Sequence, residues 1–279
     1  MAVSIPNIVA IAGVDPSGGA GVLADIKTIT ALGGFGCGVV TALTAQNTQA
    51  VTGIYPIDAA FVAQQINTLF DDVAIAAAKI GMLGDVGITL AVADRIAHWQ
   101  PAHVVLDPVM VAKSGDALLT KPAVAALRDA LLPLATILTP NLPEAAALLG
   151  QSAPESVRDM RRMAEKLRGL LNLSSERWVY LKGGHLPSEE CVDLLHNGDA
   201  MIELKSLRIN TKNTHGTGCA LSSALATCLP QAENTEHAAR RAHAWLAQAI
   251  AQSHALNVGS GHGPVHHAWQ WHQTKRVNV

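Results

Sequence analysis

Short β-branched apolar runs alternate along the chain with longer stretches whose apolar residues recur every three or four positions. Residues 7–13 (NIVAIAG), 37–45 (CGVVTALTA), 75–81 (IAAAKIG), 103–107 (HVVLD), 135–140 (ATILTP) and 178–184 (WVYLKGG) read as strands. Helices are expected near 20–34, 58–71, 85–98, 116–132, 143–149, 155–171, 216–229 and 235–256. Residues 191–197 and 201–209 read as an antiparallel pair around the turn Asn197-Gly198-Asp199. Strands separated by helices of about 10–15 residues imply βαβ units, hence an α/β fold with a mostly parallel sheet covered on both faces. No repeat, low-complexity segment or linker interrupts the pattern, so residues 1–279 read as a single domain. Sheets of this kind collect ligands at the carboxyl ends of their strands, so motifs directly after strands carry the most weight.

The first such motif is GAGVLA at 19–24, a match to the dinucleotide fingerprint. Its partner, an acid ending the second strand to hold a ribose, is missing, because that region reads TALTAQN. The better reading is a small-molecule pocket lined by Asp15, the glycines and Asp25, with Gln46 and Asn47 ending the neighbouring strand. The Gln46 amide offers both a donor and acceptors, which suits a heterocycle.

Three more candidates follow the later strands. Asp107 ends VVLD, placed either for Mg2+ or for a turn favoured by Pro108. Asn141-Leu-Pro-Glu144 follows ATILTP; its oxygens suit Mg2+, and the same pattern suits a helix cap, which is the stronger reading of this motif alone. Lys182-Gly183-Gly184 ends WVYLK, where the lysine is placed to meet nucleotide phosphates or to lie on a turn. The last motif is NTHGTGCALSSALAT at 213–227. Gly216-Thr217-Gly218 opens a helix whose unpaired N–H groups and dipole favour an oxyanion. Cys219 falls in that first turn. It is either a thiol whose pKa the same field lowers, ready to take a proton, or a small buried filler.

Composition narrows the partners. Hydrophobic residues make up 49% and charged residues 15%, with a net charge of −2. No basic run suggests nucleic acid, and no apolar stretch has the length of about 20 residues that spans a membrane. The start lacks a basic leader and is cut by Asp15, so it reads as a strand, and a cytoplasmic setting with reduced thiols is expected for Cys37, Cys191, Cys219 and Cys228. The tail holds His262, His266, His267 and His272. Without accompanying cysteines, and with Gly263-Pro264 between them, they read as a packed terminus in preference to a metal site.

The segments AGVDPSGGAGVLADIKT, TALTAQNT, KIGML, VVLDPVMVAKSGD, TPNLPEAAAL, LKGGH, NTHGTGCALSSALA and GHGPVHH occur in this order over nearly the whole chain. Together they resemble the bacterial hydroxymethylpyrimidine/phosphomethylpyrimidine kinases of thiamine biosynthesis, in the ribokinase-like superfamily; residues 150–178 match least. The resemblance implies a ribokinase-like three-layer α/β/α fold, ATP, Mg2+ and a homodimer. It implies two reactions: phosphorylation of 4-amino-5-hydroxymethyl-2-methylpyrimidine, then of its monophosphate to the diphosphate. It places Gly13, Ala20, Asp25, Gln46, Met82 and Val109 around the pyrimidine. Asp107, Asn141 and Glu144 are placed on Mg2+ and phosphates, and Lys182, Asn141 and Thr217 on the nucleotide. Gly216, Thr217, Gly218 and Cys219 form the catalytic turn; many members of the superfamily carry Asp at the position of Cys219, whereas this kinase group carries Cys.

Phosphoryl transfer depends on positioning and charge neutralisation. An alcohol nucleophile gains from a base, whereas a phosphate already ionised near neutral pH does not. Cys219→Ala is therefore expected to slow the first phosphorylation more than the second. Residues 111–115 are a candidate lid. The alternatives are a pyridoxal/pyridoxine kinase of the same fold and, from another class, a non-catalytic pyrimidine-binding sensor.

Overall fold

The computed structural model describes residues 4–110, 119–172 and 177–273. The candidate lid at 111–115 lies outside these residues. Nine strands form one sheet: β1 (Asn7–Val14), β2 (Phe35–Gln46), β3 (Val51–Pro56), β4 (Ile75–Ile80), β5 (His103–Leu106), β6 (Ile137–Leu138), β7 (Trp178–Leu181), β8 (Glu190–His196) and β9 (Met201–Leu207). Their spatial order is β3-β2-β1-β4-β5-β6-β7-β8-β9. The six from β2 to β7 in that order run parallel, and β3, β8 and β9 add antiparallel edges. The chain starts on β1, moves outward to β2 and β3, then crosses back to β4 on the other side. That reversal opens a crevice at the carboxyl ends of β1 and β4.

The helices are α1 (Gly21–Ala31), α2 (Ala59–Asp72), α3 (Val86–Trp99), α4 (Lys121–Ala126), α5 (Leu142–Leu149), α6 (Val157–Arg168), α7 (Thr217–Cys228), α8 (Thr235–Ala251) and the short α9 (Trp269–Gln273). Side chains alternate across each strand and so build two cores. Val9 and Ile11 of β1 and Leu106 of β5 pack with α2, α3, α5 and α6; Ile8, Ala10 and Val105 pack with α1, α7 and α8. Helix α7 buries Ala220, Ser222, Ser223, Ala224 and Ala226. These small residues let it lie close over the sheet centre.

Two differences from the expected elements have clear causes. Strand β3 was not anticipated: it is short and largely exposed, contains Gly53 and ends at Pro56, so it carries no buried alternation. Asn47 is not a pocket residue but builds the turn into β3, its side chain accepting from the N–H groups of Gln49 and Ala50 at 2.8 and 3.1 Å. The helix expected over 116–132 is described only from Lys121. It then continues as a π turn (Leu127–Leu131) and a 3-10 turn (Leu132–Leu134), where Pro133 removes a donor. The histidine-rich tail packs as a short helix, with His266 and His267 buried, and no metal-holding group of three ligands occurs among the described residues.

Candidate active site

Helix capping shows which helix ends are left for a ligand. Asp58, Asp85, Ser156 and Asn234 cap α2, α3, α6 and α8 through their own side chains. Helices α1 and α7 begin at Ala20 and Gly216 with no side-chain cap. The Thr217 N–H meets the Thr214 carbonyl at 3.5 Å and the Gly21 N–H meets the Cys219 thiol, and no side-chain cap occupies the other first-turn N–H groups, which leaves these ends suited to an anion. Both starts line one cavity of about 400 Å3. Gly216 has φ 74°, and a Cβ there would lie 1.8 Å from the Gly19 carbonyl oxygen. Only glycine lets the two turns touch.

The carboxyl ends of the strands supply the rest. Gly13, Ala20, Gln46, Met82, Val109, Asp107, Asn141, Glu144, Lys182, Gly216, Thr217, Gly218 and Cys219 all line this cavity. Near Gly13 the β1–β2 register slips between Ala12 and Val14, and the Gly13 N–H donates to the Met82 carbonyl at 3.2 Å. Asp25 is a correction. It is fully buried on α1 and does not line the cavity; both its oxygens bind Lys79 Nζ, at 2.9 and 2.8 Å, and Oδ1 accepts from Ser223 at 2.7 Å. Strand alternation turns Lys79 towards α1 and α7, so Asp25 is needed as its counter-charge.

Asp107, Glu144 and Lys182 form the charged end of the cavity. Lys182 Nζ lies 2.9 Å from Asp107 Oδ1 and 3.8 Å from Glu144 Oε2. Ser222 of α7 donates to Asp107 Oδ2 at 3.3 Å, which ties the carboxylates to the helix that carries the glycine turn. Burial, then the Asp107 charge, pushes Glu144 up to about 7 against the pull of Lys182. Burial alone would lower Lys182, but Asp107 and Glu144 carry it above its ordinary value. Asn141 and Glu144 make a reciprocal cap: Glu144 N–H donates to Asn141 Oδ1 at 2.9 Å, and Asn141 N–H donates to Glu144 Oε2 at 2.8 Å. The cap fixes the Glu144 carboxyl at the cavity rim.

Cys219 corrects a second expectation. Its thiol lies above its ordinary value. Burial pushes it up to about 11, with Asp25 and Asp107 adding to the effect and Lys79 and the Gly21 N–H opposing it. At neutral pH the sulfur is therefore protonated.

A neighbouring cavity of about 340 Å3 shares Asn141, Lys182, His185, Thr214, Thr217 and Gly218 with the first. Leu207, Ile209, Leu246 and Ile250 give it an apolar wall. Arg208 fixes the loop after β7, donating to the carbonyls of Gly184 (3.1 Å), Leu186 (2.6 Å) and Ser188 (2.6 Å). The two cavities meet at Lys182 and the glycine turn, which is the arrangement a group transfer between two ligands requires.

A profile of the family described as phosphomethylpyrimidine kinase matches residues 15–266. The hydroxymethylpyrimidine/phosphomethylpyrimidine kinase of Escherichia coli (strain K12) is 50% identical over 265 residues, which is 95% of this chain and 98% of that protein. The chain belongs to the phosphomethylpyrimidine kinase family. A member of this family is an ATP-using phosphotransferase. Solved structures agree on the fold. The ADP complex of Bacillus subtilis pyridoxal kinase matches with a TM-score of 0.86 and 33% identity, covering 96% of this chain and 100% of that one. The phosphomethylpyrimidine kinase of Clostridium difficile 630 matches with a TM-score of 0.76 and 35% identity, covering 88% and 100%. The ribokinase-like three-layer arrangement is thus the architecture of this phosphomethylpyrimidine kinase family member.

Sequence reasoning passed over His215, Lys79 and Ser222. His215 sits inside the NTHGTGC motif, whose glycines and cysteine drew the chemistry. The roles of Lys79 and Ser222 depend on partners far away in the chain, which no local pattern reveals.

Proposed function

We propose that the protein phosphorylates 4-amino-5-hydroxymethyl-2-methylpyrimidine with ATP, and then its monophosphate to the diphosphate, in thiamine biosynthesis. The observation that carries this reading is the meeting of the two cavities at Lys182 and the Gly216-Thr217-Gly218 turn. The pyrimidine would occupy the side lined by Gly13, Ala20, Gln46, Met82 and Val109. Gln46 is half-buried, and its Oε1 accepts from the Thr44 hydroxyl at 3.1 Å, which orients the amide towards a ring. The adenine would rest on the apolar wall of the second cavity, with Asn141, Thr217 and Lys182 along the phosphates.

Charge neutralisation is the main catalytic demand of phosphoryl transfer. The N–H groups of the glycine turn face the transferred phosphoryl oxygens, and Lys182 supplies a fixed cation beside them. The residues present fit Mg2+: Asp107 and Glu144 are hard oxygen donors at the same rim, with too few further ligands for an all-protein cage. Bound there beside Asn141, the ion would neutralise phosphate charge. The Glu144 carboxyl, raised by burial and by Asp107, is a group that a bound cation would favour in its ionised form. Asp25 acts through Lys79 and not through the pyrimidine. The homodimer and the cytoplasmic setting belong to the same proposal, as does action as one kinase domain. Exposed Ile54 and Tyr55 on β3, with Phe61 on α2, support a second copy as the partner.

The test is incubation with ATP, Mg2+ and either the hydroxymethylpyrimidine or pyridoxal, with products identified by mass. Mono- and diphosphates of the pyrimidine are expected. The likeness to pyridoxal kinase makes pyridoxal the second arm, and exclusive formation of pyridoxal phosphate would reverse the assignment.

A further inference from the structure

Lys182 stands where the two cavities meet, at the point where the chain leaves β7. Its backbone is held on one side by β6: the Lys182 N–H donates to the Pro140 carbonyl at 2.9 Å, and Lys182 bridges to Asn141. On the other side the ladder of β7 with β8 ends at the pair Leu181 and Leu194. The next residue of β8 in that register is Asp193. A side chain now does what a main-chain carbonyl does within the ladder: Asp193 Oδ1 accepts from the Gly183 N–H at 2.8 Å. A Cβ on Gly183 would lie 1.9 Å from the Val192 carbonyl oxygen, so the peptide after Lys182 is pressed against β8. The carboxylate is itself held. Its Oδ2 accepts at 3.0 Å from the hydroxyl of Tyr180, which is fully buried on β7. Donors on either side of Lys182 thus meet on one carboxylate. The loop beyond is fixed separately, through the bonds from Arg208.

We propose that Asp193 is a positioning residue for Lys182: by holding the N–H of Gly183 it sets where the lysine ammonium stands over the glycine turn. The inference rests on the kinase reading above, in which Lys182 meets the phosphoryl group in transfer. The fit at that point is close. Lys182 Nζ lies 2.9 Å from Asp107 Oδ1, and a Cβ on Gly218 would lie 3.2 Å from the same nitrogen. A small shift of the Lys182 backbone therefore either drives the ammonium into the turn or lifts it off. Misplacement by about 1 Å can cost about 100-fold in rate. Both phosphorylations pass the same lysine, so both depend on the same anchor. The pyrimidine side of the first cavity, at Gly13, Gln46 and Met82, belongs to β1, β2 and the segment after β4, and does not depend on it. The anchor needs an oxygen at the right place and not a charge, because an amide oxygen accepts from an N–H as a carboxylate does.

Two variants separate position from charge. Asp193→Asn keeps an oxygen for the Gly183 N–H, can donate to the Tyr180 oxygen, and deletes the charge. Asp193→Glu keeps the charge and moves the oxygens by one methylene. Asp193→Asn should stay within about threefold of the parent in kcat for both phosphorylations. Asp193→Glu should lose about tenfold or more in kcat for both, with the KM for the pyrimidine changed by less than about threefold. Thermal unfolding and calorimetric binding of the pyrimidine on the same preparations report that the fold is intact. Asp193→Ala carries the same expectation as Asp193→Glu and replaces it if the longer side chain prevents folding. A displaced variant within about threefold of the parent, an Asp193→Asn as impaired as Asp193→Glu, or a loss seen only in the KM for the pyrimidine would overturn the assignment. Absence of turnover by the parent protein with the pyrimidine removes the kinase reading, and this inference with it. Parental turnover with the opposite pattern among the variants removes only the role of Asp193.

Discussion

The ion pair beneath the cavity offers a quantitative test of how this fold tolerates a charge in its core. Lys79 and Asp25 are both 0% exposed, 2.8 Å apart, and reach each other from β4 and α1. Burial would pull Lys79 down, but the Asp25 carboxylate holds it well above its ordinary range. Lys79→Met preserves the length and apolar stem and deletes the charge. Among the described residues Asp25 then keeps only the Ser223 hydroxyl as donor. It can stay ionised and unpaired, which costs about 3–5 kcal/mol. It can instead take a proton: from an ordinary value near 3.9, this costs about 4 kcal/mol at pH 7 and about 1.5 kcal/mol at pH 5, at about 1.36 kcal/mol per unit. The cheaper route governs, so the variant should lose about 3–4 kcal/mol at pH 7 and roughly half of that or less at pH 5. The sign follows because the carboxyl in the variant is raised in the folded state, so stability is lost as pH rises. Urea unfolding followed by tryptophan fluorescence at both pH values measures it. The double variant Lys79→Met with Asp25→Asn should recover most of the pH 7 loss. A loss under about 1 kcal/mol at pH 7, or one identical at pH 5, would refute the reasoning.

Two further outcomes are expected. Glu144 is raised to about 7 by burial and by Asp107, above an unfolded value of 4.5, so its contribution is intact below pH 4.5 and is lost as pH rises through 7. The unliganded protein should lose on the order of 3 kcal/mol across that window, and Glu144→Gln should flatten this part of the stability profile. Gly216→Ala places a methyl against the Gly19 carbonyl at a φ that disfavours side chains. Both phosphorylations should fall together by about tenfold or more, with a lowered unfolding midpoint.

Much of the layout was legible because it is local. Strand β1 alternates Ile8 and Ala10 against Val9 and Ile11, and each face finds a helix layer. The hairpin of β8 and β9 was written in its turn residues. The reciprocal cap of Asn141 and Glu144 needs only a spacing of three. Because parallel strands present their carboxyl ends on one rim, motifs placed after strands had to converge. Asp107, Glu144, Lys182 and the glycine turn do so.

Other features depended on distance in the chain. Asp25 looked like a pocket residue until strand parity turned Lys79 towards it, 54 residues away. Cys219 looked acidic in a helix first turn, yet burial and two nearby carboxylates push its thiol up, and that sum exists only in three dimensions. The meeting of His215 with Asp15, 200 residues apart, was likewise a product of packing. Sequence alone determined the periodicities, caps and turns, since each depends on neighbours along the backbone. Tertiary structure decided which charges face one another and which groups leave water, and those two facts fix where each proton resides.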